Sequence, residues 1–212
     1  MEIRAYSDLY VEDAQNVLGH MFDFAINEVG LSPDVFAGWF VVSPYSKQIA
    51  KGNVTYVAGK TGPEVARLVL ENAGYNKELP EDVMYIDRSP EYWGGWVLAY
   101  YQWLRVYPFG HILSAVPYSD LLDMYGKYHE MDIQHTVDEL DNRLDKYYPE
   151  TALRRHRRQQ GLSQRELAEM SGVALRQIQL FEQRQRDIKK AGVDTVRRLS
   201  KALSCDMETL LL

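Results

Sequence analysis

The chain has 212 residues, 46% of them hydrophobic and 25% charged, an ordinary balance for a globular protein with room for one or two cores. No apolar run reaches the ~18 residues of a membrane-spanning helix, and the opening stretch MEIRAYSDLYVED lacks the basic and apolar regions of a signal peptide. No membrane partner is therefore expected, and the lone Cys205 excludes internal disulfides and suits a reducing cytoplasm, where a small core role is expected for it.

Taken in chain order, residues 7–29 carry a helical apolar stripe of Leu9, Val17, Leu18, Met21, Phe22, Ala25 and Ile26, closed by Gly30. Ser32-Pro33 and Ser43-Pro44 each predict a capped helix start. Glycines from Gly52 to Gly62 interrupt the pattern, and Pro63-Glu64 opens a helix to about Asn72. Residues 74–88 read as an acidic loop. Ser89-Pro90-Glu91 opens a long aromatic helix that Pro108 ends. Its Trp93, Trp96, Tyr100 and Trp103 share one face, so core packing is expected there. Gly94-Gly95 predicts a close helix–helix approach or a bend. Shorter helices follow near 110–115 and 118–127, then one over 133–147. Tyr147-Tyr148-Pro149 marks a junction. Strand alternation and internal repeats are absent, so residues 1–149 are expected to form an acidic, all-helical domain.

Three chemical signals in that domain do not develop. Gly59-Lys60-Thr61 resembles part of a phosphate loop, but Val54 stands where a glycine is needed and no strand precedes it. His129, Glu130 and His135 lack the spacing of a zinc helix, so His129 is expected at the surface or the junction. The carboxylates of 78–87 and 138–145 read as solvated faces. No catalytic residue, metal ligand or cofactor is expected.

Residues 150–212 differ in charge and in pattern. Residues 151–212 hold 13 Lys and Arg against 7 Asp and Glu, a net of +6; residues 1–150 hold 11 against 23, a net of −12. Only the basic part is suited to approach nucleic-acid phosphates. A helix over 151–160 comes first. In GLSQRELAEMSGVALRQIQLFE (161–182), Ser163 and Glu166 form a capping box, Leu167 and Ala168 give an apolar stripe, Gly172 supplies a left-handed turn and Val173 plugs it. A second helix follows with Ile178 and Phe181 inward and Arg176, Gln177 and Gln179 available. Further helices are expected near 193–203 and over 207–212, the last capped by Asp206.

Leu153, Arg158, Gly161 to Gln164, Glu166 to Ala168, Ser171 to Val173, Ile178 and Glu182 together resemble the XRE-family, or Cro/repressor-type, helix-turn-helix domain. The resemblance implies a five-helix lambda-repressor-like fold, sequence-specific binding of double-stranded DNA and a homodimer on a palindrome. It also implies phosphate contact and helix support by Gln164, and base reading by Arg176. Side chains at the N-terminal end of a groove-bound helix reach base edges. The expected DNA-binding set is Gln164, Arg165, Leu175, Arg176, Gln177, Gln179, Arg184, Lys189 and Lys190. Ala174, Leu180 and Gln183-Arg184 depart from the family's usual cap, reading face and closing Asn-Gly.

Residues 87–103 resemble uncharacterised helical modules fused to such domains in bacteria, some beside toxin-like genes. Two functions follow as expectations. One is a transcriptional regulator, a repressor, whose first domain dimerises or binds a partner or effector. The other is an antitoxin-like protein whose first domain binds a partner protein while the helix-turn-helix autoregulates.

Overall fold

The computed structural model describes residues 4–81 and 88–212, and among them every regular element is helical. The acidic-loop reading of 74–88 therefore lies partly outside the described residues. The chain divides into two compact units, Met1–Asp145 and Lys146–Leu212.

In the first unit, α1 (Val11–Asp23) runs on into a π-helical turn, Phe24–Glu28, and stops at Gly30. Leu9 is 82% exposed, contrary to the expected stripe. It lies in a separate 3-10 turn, Asp8–Tyr10, whose tighter pitch takes it off the buried face. Helices α2 (Pro33–Val42) and α3 (Pro44–Ala50) both begin at proline, but neither Ser32 nor Ser43 caps with its side chain. The Ser43 hydroxyl instead donates back to the Phe40 carbonyl at 2.7 Å. Within the glycine-interrupted stretch lies a short helix, α4 (Val54–Val57), capped by Asn53. Thr61 spends its hydroxyl on a capping box with Glu64 at the start of α5 (Gly62–Asn72), so it serves a helix end and not a phosphate loop.

Helix α6 (Pro90–Arg105) starts where Ser89 accepts from the Tyr92 backbone N–H. It ends before Pro108, at Val106, which takes a left-handed conformation with φ 59°. The expected core packing on this helix is borne out in part, since the four expected rings pack against the core from its flank and do not form its centre. Trp93, Trp96, Tyr100 and Trp103 are only half-buried, whereas Gly94, Gly95, Val97, Leu98, Tyr101 and Gln102 point into the core. The glycines decide this. At Gly95 a Cβ would fall on the Leu18 carbonyl oxygen and 2.7 Å from its carbon, so α6 presses backbone to backbone against α1. The glycine side has to face inward, and the large rings are displaced to the flank.

Helices α7 (Phe109–Ala115), α8 (Tyr118–Tyr128) and α9 (Ile133–Tyr147) complete the unit. Phe22 stacks on Tyr118 at 3.9 Å, and the edges of Phe36 and Phe40 close around it. The carboxylates of α9 are not all a solvated face. Asp141 accepts from the Tyr101 hydroxyl at 2.7 Å and pairs with both arms of the Arg105 guanidinium, tying α9 to α6. Burial first, and then Asp141, push the Tyr101 hydroxyl far above the usual phenol range.

The second unit contains α10 (Ala152–Gln159), α11 (Gln164–Ser171), α12 (Leu175–Glu182), α13 (Val193–Ala202) and α14 (Met207–Leu210). Its core joins Leu153, Leu167, Val173, Ile178, Phe181, Leu199, Leu203 and Leu210. Asp206 precedes α14 but makes no side-chain cap. Cys205 packs half-buried against this core, and burial raises its thiol pKa, which suits a structural role.

Four groups set a common pH response. Burial lowers the pKa of His20 and of His156, while hydrogen bonds from Thr61 and Ser163 lower those of Glu64 and Glu166. The unfolded chain takes up each proton first, so stability falls on acidification. The loss is expected to begin below the ordinary histidine value of 6.5 and to steepen below the ordinary glutamate value of 4.5. Thermal midpoints between pH 7 and pH 4 would check the sign, and a rise on acidification would contradict it.

Candidate nucleic-acid interface

The second unit presents α11 and α12 as two short helices around a fixed turn. The Ser163 hydroxyl accepts from the Glu166 backbone N–H at 3.2 Å, and the Glu166 carboxylate accepts from the Ser163 N–H at 2.7 Å. At the far end Gly172 adopts φ 67°, a conformation that a Cβ disfavours. The Ser171 hydroxyl donates to the Leu167 carbonyl at 2.6 Å and accepts from the Val173 N–H at 3.2 Å, while Val173 is buried. The turn is thus held by the side chain before the glycine and plugged by the one after it.

Helix α12 is anchored from below by a buried ionic cluster. Glu182 is 7% exposed and takes both arms of Arg157, at 2.6 and 2.8 Å. The third Arg157 nitrogen donates to the Leu162 carbonyl at 2.6 Å, and Gln164 Nε2 donates to Glu182 at 2.8 Å. The Glu182 carboxylate holds the Arg157 guanidinium above its ordinary pKa. One cluster therefore fixes α10, α11 and α12. Arg157 was not separable in the sequence from Arg154, Arg155 and Arg158. The available signal was its place four residues after the buried Leu153, on the same inward face of α10.

The sequence-expected DNA contacts fall as follows. Arg165 and Arg176 are exposed, the latter in the first turn of α12; Leu175, Gln177 and Gln179 are half-buried along the same helix, as is Leu180. The Ala174 cap offers no side-chain acceptor to the first turn. Gln164 is half-buried, with its amide on Glu182. Arg184 sits past the end of α12 at φ 56°, and its guanidinium donates to the Tyr148 carbonyl at 2.6 Å. Lys189 and Lys190 lie in a 3-10 turn, Ile188–Lys190, capped by Asp187. Of the other basic residues, Arg154 and Arg158 are drawn to Glu150, at 3.5 and 2.5 Å, and Arg155 lies 6.0 Å over the Tyr148 ring. The helix ahead of the motif is thereby occupied with its own unit, leaving α12 and the turn after it to present basic and amide groups outward.

Among the described residues no helix is long and apolar enough to cross a membrane. No curated protein and no solved structure matches the chain. Residues 153–210 match the helix-turn-helix family model, and the match spans 58 of the 212 residues. It starts at the buried Leu153, ends at the buried Leu210, and encloses both halves of the Arg157–Glu182 cluster. The C-terminal segment of this chain is a DNA-binding helix-turn-helix of the XRE type.

Proposed function

We propose that the protein is a sequence-specific transcriptional repressor that binds double-stranded DNA as a homodimer. Residues 150–212 form its DNA-binding domain, and residues 1–149 form a separate domain for dimerisation or for a partner or effector. The observation that carries this reading is Arg176, an exposed cation in the first turn of a helix whose far end is locked by buried Glu182, in a segment of net charge +6. A rigid helix with a free N-terminal face suits the major groove. Arg176, Gln177, Gln179 and Leu175 would read bases. Gln164 and Arg165, at the start of α11, would meet one phosphate strand; Lys189, Lys190 and, on leaving Tyr148, Arg184 would meet the other. One copy reads only a half-site, hence the dimer.

The test is a salt titration of the full-length protein on a duplex from its own upstream region. Affinity is expected to fall steeply and linearly with the logarithm of salt, and Lys190→Ala is expected to reduce that slope by roughly one. A flat salt dependence would sink the reading.

A second reading is favoured by the exposed apolar side chains of the first unit. Leu9 and Val42 are 82% and 77% exposed, and Val35 and Val54 are near half. An antitoxin would require a partner-binding face on the first unit, and these side chains are the candidates for it. Co-purification of the product of the neighbouring gene would support it, provided that Leu9→Ser with Val42→Ser weakens the complex.

A further inference from the structure

The displaced aromatic flank of α6 borders a cleft of about 430 Å³ between α6, α8 and the start of α9. That size falls within the range of small-molecule sites, and a gap between bundle helices is a common place for one. Its wall is preorganised. Trp93 meets the edge of Tyr125 at 5.7 Å, Tyr125 stacks on His129 at 4.3 Å, and the Tyr125 carbonyl fixes His129 Nδ1 at 2.8 Å. Trp96 and the half-exposed Met131 add further apolar lining.

The polar groups among the described residues of this wall are few, and none of them is an acid. The first unit holds 22 Asp and Glu against 10 Lys and Arg, yet the eleven described residues that line the cleft include no carboxylate. They include Arg88, whose guanidinium lies 5.0 Å over the Tyr92 ring, and Tyr128, whose hydroxyl accepts from Lys127 at 3.0 Å. Glu130 reaches the edge, 3.7 Å from His129 Nε2, but its side chain is 87% exposed. Among the residues lining the cleft, Thr136 is 1% exposed.

We propose that this cleft binds a small planar aromatic anion. The ring lies on Trp93 and Trp96, the acid group faces Arg88, and a polar edge meets Thr136. Aromatic walls favour a flat π-face, and the Arg88 guanidinium in an otherwise acidic unit selects negative charge. The site stands independently of the DNA-binding reading, since none of its residues lies in 146–212.

The test is a fluorescence titration of the full-length protein with anilinonaphthalene sulfonate and with its uncharged parent, phenylnaphthylamine. The expected result is saturable binding of one anionic probe per chain. Arg88→Gln should weaken the sulfonate by about tenfold and leave the uncharged probe within twofold. Trp96→Leu should weaken both, with far-UV circular dichroism confirming a folded chain. Arg88 is exposed, so its variant remains informative if Trp96→Leu does not fold. Absence of saturable binding, or equal sulfonate affinity in wild type and Arg88→Gln, would overturn the proposal.

Discussion

Glu182→Ala is expected to unfold the C-terminal unit, or to destabilise it by about 3–5 kcal/mol, the usual effect of removing one partner of a buried ion pair. The variant leaves Arg157 with its side chain only 11% exposed and two of its donors unmatched, and it frees Gln164 from the end of α12. The measurement separates the units cleanly. All four tryptophans lie in the first unit, so their fluorescence reports on that unit. In urea, helical circular dichroism should fall in the variant while tryptophan fluorescence stays native. Arg157→Met with Glu182→Leu, which replaces the pair by apolar side chains of similar size, is expected to recover much of the loss. A Glu182→Ala protein that melts like wild type would show that the cluster contributes little.

The second large effect is expected at Gly95. In an exposed helix interior, Gly→Ala stabilises by up to about 1 kcal/mol. Here the added methyl would meet the Leu18 carbonyl and come within 2.9 Å of the Gly19 Cα, backbone atoms that no rotamer change can move. Overpacking of this kind costs about 1–3 kcal/mol and outweighs the helix gain, so Gly95→Ala should destabilise the first unit by roughly 2 kcal/mol. Gly126→Ala on α8 is the internal control, since its methyl would meet nothing within 4 Å. It should stabilise the unit slightly. Tryptophan fluorescence in urea reads both, and a more stable Gly95→Ala protein would contradict the backbone-contact account.

The helix-turn-helix was legible because its signals are local. Ser163 and Glu166 are three residues apart, Gly172 has to be left-handed, and Val173 follows it directly. The starts of α5 and α6 were legible for the same reason, with caps and prolines written next to the helices they open. What failed depended on distant partners. The core face of α6 is set by Leu18, more than seventy residues earlier, so four aromatic residues at helical spacing pointed to the flank of the core and not to its centre. Asp141 looked solvated because Tyr101 and Arg105 lie 40 and 36 positions away. Arg157 finds Glu182 across 25 residues, and no local periodicity marks that pair. Ser43 and Asp206 show the opposite limit: a correct residue at a helix start does not ensure that its side chain caps.

The reading of α12 as the base-contacting helix rests on Arg176 and Gln177. The most direct test is competition binding of the full-length protein, comparing its own upstream duplex with a scrambled duplex at fixed salt. The account predicts that wild type prefers the upstream sequence, and that Arg176→Ala with Gln177→Ala brings the ratio of the two affinities close to one while salt-sensitive binding remains. The Arg contact alone is worth about 1–3 kcal/mol of discrimination if bidentate. An unchanged ratio in the double variant would contradict the assignment of these side chains to base recognition.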